Sequence, residues 1–168
     1  MRRMFLSLAA AGSLVCQQAA AQLHCMTSAD QVTFDVQALR SEVMVLATGC
    51  SDDAQYNAFI TRYQPALQAN EREVDAWFKK KFGRRAQSEH DRFVTDLANA
   101  QSSAGTMLGS DFCPHNGMIF HEVMALTSAH ELSQFAAGQD LVPASLDVCA
   151  EETAQAAPPA RRVVRKRR

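Results

Sequence analysis

The sequence predicts an all-α protein: a small helical bundle of about five helices braced by two disulfides, behind a cleaved signal peptide and ahead of a disordered basic tail. Three observations carry this. Apolar residues recur at helical spacing in successive segments from Val32 to Ala136, four cysteines remain once an N-terminal export segment is set aside, and charge divides unevenly along the chain. The expected organisation is a signal peptide over 1–21, a disulfide-braced helical domain over 22–150 and a basic tail over 151–168.

The organising element is the stretch from Val32 to Cys50. Val32, Val36, Leu39, Val43, Leu46 and Cys50 are separated by alternating steps of four and three, which places them on one side of a helix. Val32, Phe34 and Val36 also alternate with Thr33 and Asp35 as a short strand would, but the helical stripe runs longer. Ser28 with Gln31 fits a capping box, and Gly49 marks a frayed end.

Downstream, Asp52 and Asp53 are N-cap candidates for a second helix with Tyr56, Phe59, Ile60, Tyr63 and Leu67 inward. Pro65 should kink or break it, because proline removes a backbone donor and crowds the preceding turn. Val74, Trp77, Phe78 and Phe82 extend the apolar face as core residues, Glu71, Glu73 and Lys79 to Lys81 point to solvent, and Gly83 ends the segment. A third helix runs from Arg84 to Ala100 with Phe93, Leu97 and Ala100 inward, and the Ser- and Gly-rich stretch from Gln101 to Asp111 is expected as a loop. Pro114 opens a helix that is expected to bury Phe120, Val123, Met124 and either Ala125 or Leu126. Ser128 and Glu131 then form a second capping box before Leu132, Phe135 and Ala136, and Gly138 closes that helix.

The start of the chain reads as an export signal: Arg2 and Arg3, an apolar run from Met4 to Val15, and a small-residue cleavage site at Ala19 to Ala21. Arg2-Arg3 also resembles a twin-arginine signal, and Cys16 raises a lipoprotein alternative that the branched Val15 disfavours. Export places the protein in the periplasm or outside the cell, where Cys25, Cys50, Cys113 and Cys149 pair as disulfides. A straight helix would hold Cys25 and Cys50 on the order of 30 Å apart, whereas a disulfide needs Cα atoms within roughly 7 Å. Tracing the helices up, down and up brings Cys113 back to Cys50 and leaves Cys25 for Cys149.

Charge supplies the functional expectation. Residues 22–150 carry 9 basic against 16 acidic side chains, whereas 151–168 carry six basic against two acidic. Arg161, Arg162, Arg165, Lys166, Arg167 and Arg168 form a surface that binds anionic envelope lipid or polymer, and export argues against nucleic acid. His115, His121 and His130, with Glu122 and Glu131, are the residues that a metal hydrolase would use. Their spacings of six and nine miss a common helical face, so no metal, cofactor or catalytic residue is assigned. His24, third in a chain cut after Ala21, suits adventitious copper only.

The run Val36-Gln37-Ala38-Leu39-Arg40-Ser41-Glu42, the following Cys50, Tyr56-Asn57-Ala58-Phe59 and Phe112-Cys113 resemble small exported helical proteins of Gram-negative bacteria, over most of Cys25 to Phe120. The resemblance implies fold and compartment and transfers no activity. The expectation is a non-enzymatic periplasmic helical module with a binding or structural role in the envelope. The alternatives are an acid-stress holdase that opens when its acidic body is protonated, and a small metal-dependent enzyme built on His115 to Glu131.

Overall fold

The computed structural model describes residues 26–143 and 146. The proposed signal peptide, Cys25, Cys149 and the tail arginines lie outside the described residues. Within them the chain is helical: α1 (Ser28–Cys50), α2 (Asp53–Phe82), a 3-10 turn (Gly83–Arg85), α3 (Ala86–Leu108), a second turn (Gly109–Asp111), then α4 (Phe112–Asn116), α5 (Met118–Ala125) and α6 (Ala129–Ala137). No helix among the described residues is long and apolar enough to cross a membrane.

Helix α1 is the hub, packing against α2, α3, α4 and α6. Covered from several sides, it buries an unbroken run from Phe34 to Leu39 rather than a single stripe, and Val32 is exposed, contrary to expectation. Its cap is also one residue earlier than Ser28: the Thr27 hydroxyl accepts from the Asp30 N–H, and the Asp30 carboxylate accepts from the Thr27 N–H. Gly49 stays helical, with the Phe112 ring so close that a Cβ would sit 3.0 Å from it, and α1 ends at Ser51 in the left-handed conformation.

Two further expectations fail for identifiable reasons. Pro65 does not break α2, which runs continuously; Pro65 and Thr61 are both exposed, so the turn that loses its donor lies on the solvent side of the helix. The Ser- and Gly-rich stretch is not a loop, because α3 continues to Leu108. Gln101 anchors it, its amide donating to the Ala38 carbonyl (3.0 Å) while its own oxygen accepts from Ser41 (2.6 Å). Gly105 lies inside that helix because Phe112 occupies the space of a side chain: a Cβ there would be 2.8 Å from the ring. Ala100, expected inward, is exposed. Asp52 holds the N-cap position of α2 without a side-chain hydrogen bond.

The core has two parts. One gathers Leu39, Val43, Leu46, Phe59, Tyr63, Phe120, Val123 and Leu132, where the Tyr63 hydroxyl donates to the Val123 carbonyl (2.6 Å). The Cys50–Cys113 disulfide lies at this end, with Cα atoms 5.7 Å apart, as the up-down-up trace requires. The other part is aromatic. Phe34 sits edge-on to Trp77 (centroids 4.9 Å) and to Phe93 (5.4 Å), with Phe78 and Val74 beside them. Trp77 and Phe78 are therefore core, as expected, and the Trp77 indole donates to Asp30.

Candidate functional site

Between α1, α2 and α3 lies a polar cavity of about 620 Å³. Each helix supplies it by spacing. Glu71 and Asp75 are four apart on α2 and share a face; Gln37 and Arg40 come from α1; His90 stands seven residues before Leu97 on the inward side of α3. The imidazole is 6 % exposed and stacks on Phe78, with centroids 5.1 Å apart and planes 20° from parallel.

Each ring nitrogen of His90 faces a carboxylate. Nδ1 lies 3.0 Å from Asp75 Oδ1, and Nε2 lies 3.7 Å from Glu71 Oε1. The second contact is too long for a hydrogen bond, and Nε2 is buried without a hydrogen-bond partner. Arg40 donates to the other Glu71 oxygen at 2.7 Å, which fixes the carboxylate with Oε1 turned to the histidine. Gln37 Oε1, also lining the cavity, is buried and unpartnered. Orphaned polar atoms in a folded interior are uncommon because each forfeits its hydration, so two around one cavity mark it out. Ser41, also on the cavity wall, donates to Gln101, whose amide donates to the Ala38 carbonyl, and this fully paired network is structural.

Other carboxylates are shifted by their surroundings. Burial, and then the neighbouring Asp140, push the Asp35 carboxyl above the usual range; burial alone does the same for Glu42. At Asp30, burial pushes upward, but hydrogen bonds from the Thr27 hydroxyl and N–H and from Trp77, with Lys80 nearby, outweigh it and leave the group below its ordinary value. The Thr127 N–H, followed by the Thr127 hydroxyl, holds Glu131 low.

Glu131 is thus committed to a helix start. It accepts from the Thr127 N–H (2.6 Å) and hydroxyl (2.8 Å), while its own N–H donates to Ser128 Oγ. The expected box is therefore shifted by one residue on its reciprocal side. His115, His121 and His130 are all exposed, and among the described residues the one group of three side chains able to hold a metal is Glu71, Asp75 and His90. Cys50 and Cys113 are brought together as expected. The pair Cys25 and Cys149, and the anionic-surface residues Arg161, Arg162, Arg165, Lys166, Arg167 and Arg168, lie outside the described residues.

The Arg40, Glu71, Asp75 and His90 constellation is not among the sequence expectations, in which Glu71 points to solvent. A signal existed: His90, Leu97 and Gln101 are spaced by seven and four, which puts the histidine on the buried face, and Glu71 with Asp75 is an i, i+4 acidic pair. Nothing in the sequence pairs α2 with α3 at that level. No family model, curated protein or solved structure matches this chain.

Proposed function

We propose that the protein is an exported, non-enzymatic helical module with a binding or structural role in the cell envelope, docked to anionic lipid or polymer by its basic tail. The Cys50–Cys113 disulfide carries this reading. It joins residues 63 apart in sequence, and such bridges persist in oxidising compartments, whereas cytosolic thiols are kept reduced. A second bridge between Cys25 and Cys149 belongs to the same proposal. Met26 and Leu146, near neighbours of those cysteines, pack in one core cluster, so the two ends of the domain converge.

The tail binds by charge. Arg161, Arg162, Arg165, Lys166, Arg167 and Arg168 each add up to about 1 kcal/mol at an anionic surface, an attraction that salt screens. The test is co-sedimentation of residues 22–168 and 22–150 with anionic and neutral vesicles at low and high salt. Binding that needs the tail, needs anionic lipid and fades with salt supports the reading; equal behaviour of both versions removes the tail from it. Peptide mapping without reductant checks the second bridge. The acid-opening holdase reading gains no support from Asp35 and Glu42. Their raised folded-state values mean that protonation at these two sites favours the fold.

A further inference from the structure

The polar cavity points to a ligand of its own, independent of export and of the tail. We infer that His90, through Nε2, and Glu71 bind a divalent transition-metal cation of the Zn²⁺ class, with Asp75 orienting the imidazole from its Nδ1 side. One polar atom from each of the three side chains lies within 4.8 Å of the others. The decisive feature is His90 Nε2, 94 % of whose residue surface is buried (6 % exposed), unpartnered and facing Glu71 Oε1 across 3.7 Å. A cation bound at about 2.1 Å from each atom fills a gap of this width with a bond angle of roughly 120°, close to what a tetrahedral site tolerates.

The remaining groups fit that role. The Asp75 carboxylate beside Nδ1 favours the ring proton on that nitrogen, which leaves the Nε2 lone pair for the metal. Arg40 holds Glu71 by its far oxygen, and its positive charge opposes a cation in part, so moderate affinity is expected. The side chain of Glu71 is 37 % exposed, which gives its carboxylate freedom to close on the ion and leaves water to complete the shell. Imidazole with carboxylate selects borderline cations such as Zn²⁺ over Mg²⁺ and Ca²⁺, which prefer all-oxygen shells.

The test is equilibrium dialysis and calorimetry on the purified, disulfide-intact full chain, titrated with Zn²⁺, with Mg²⁺ and with putrescine. The wild type should take up one Zn²⁺ per chain, unaffected by excess Mg²⁺. Glu71→Gln and His90→Gln should each weaken uptake at least tenfold, and Asp75→Asn about tenfold to a hundredfold, each checked for native helicity by circular dichroism. Because His90 is buried and its variant is at risk of misfolding, the half-exposed Glu71→Gln decides the matter alone if need be. The double variant His121→Gln/His130→Gln should bind as the wild type does. The inference is overturned if Zn²⁺ uptake is absent, if it survives Glu71→Gln unchanged, if it is lost in the His121/His130 variant, or if putrescine saturates the cavity while Zn²⁺ does not.

Discussion

The two ends of the bundle are built on opposite terms. At the disulfide end, aliphatic side chains around Leu46 and Phe59 are covered by α5 and α6, the Cys50–Cys113 bond ties α1 to α4, and the buried Tyr63 hydroxyl has a partner. At the far end, rings around Phe34 and Trp77 hold the helices together, and the buried atoms left without hydrogen bonds collect nearby: Asp35 Oδ2, Gln37 Oε1, Asn70 Oδ1 and His90 Nε2. Of these four residues, Gln37 and His90 line the cavity. The braced end thus supplies stability, and the open end keeps the unpaired acceptors that a ligand needs.

The largest expected effect tests whether these ends are energetically separate. Phe34→Ala removes a fully buried ring with three edge-on partners and should cost about 3–5 kcal/mol. Since α1 runs through both cores, the loss should appear as one shifted urea transition, identical by Trp77 fluorescence and by far-ultraviolet circular dichroism. Two separated transitions would show that the aromatic end unfolds alone. Next in size is the bridge. Converting Cys50 and Cys113 to Ser should lower stability by about 2–4 kcal/mol through release of the unfolded chain, while Zn²⁺ uptake at the far end stays unchanged. Loss of uptake in a helical, folded double variant would join the two ends.

A smaller effect sharpens the contrast in polar pairing. Tyr63→Phe leaves the Val123 carbonyl without its short buried donor and should cost about 1–3 kcal/mol by chemical denaturation. Gln37→Met at the open end deletes an unpaired oxygen and should cost nothing measurable. Equal losses in the two variants would remove the distinction between a satisfied and an unsatisfied end.

How far each end was legible follows from the same difference. The braced end rests on spacing along single helices and on cysteine count, both local signals, so the stripe from Val36 to Cys50 and the Cys50–Cys113 pairing were readable. The open end depends on how three helices face one another. Phe34 and Gln37 looked off-stripe because α1 is covered on several sides, and Gln101 looked like a loop residue because its partner Ser41 is distant in sequence. His90 was visible as an inward position only to spacing from Leu97 and Gln101, and its meaning depends on Glu71 and Asp75 across the helix pair. The histidines that sequence brought forward, His115, His121 and His130, are near in number but exposed.

The smallest expected effect concerns pH. Asp35 is buried beside Asp140 with one oxygen unpaired, and its folded-state value is raised above an ordinary 3.8. A raised acid binds more protons folded than unfolded, so its contribution to stability is greatest at low pH and declines as pH climbs from about 3.8 through the folded value. Asp35→Asn keeps the shape and removes the charge, so the thermal midpoint should rise at pH 7 and the variant should gain little at pH 4. At the other polar site the sign reverses. Glu131 is held below its ordinary 4.5 by Thr127, so Glu131→Gln should lower the midpoint at pH 7 and leave it unchanged at pH 3, by a small amount because the group is solvated. Midpoints of the two variants measured from pH 3 to 8 should therefore diverge as pH rises. Curves that move together would show that the Asp35 carboxylate finds a partner or water in solution, and would take the orphaned oxygen out of the contrast between the two ends.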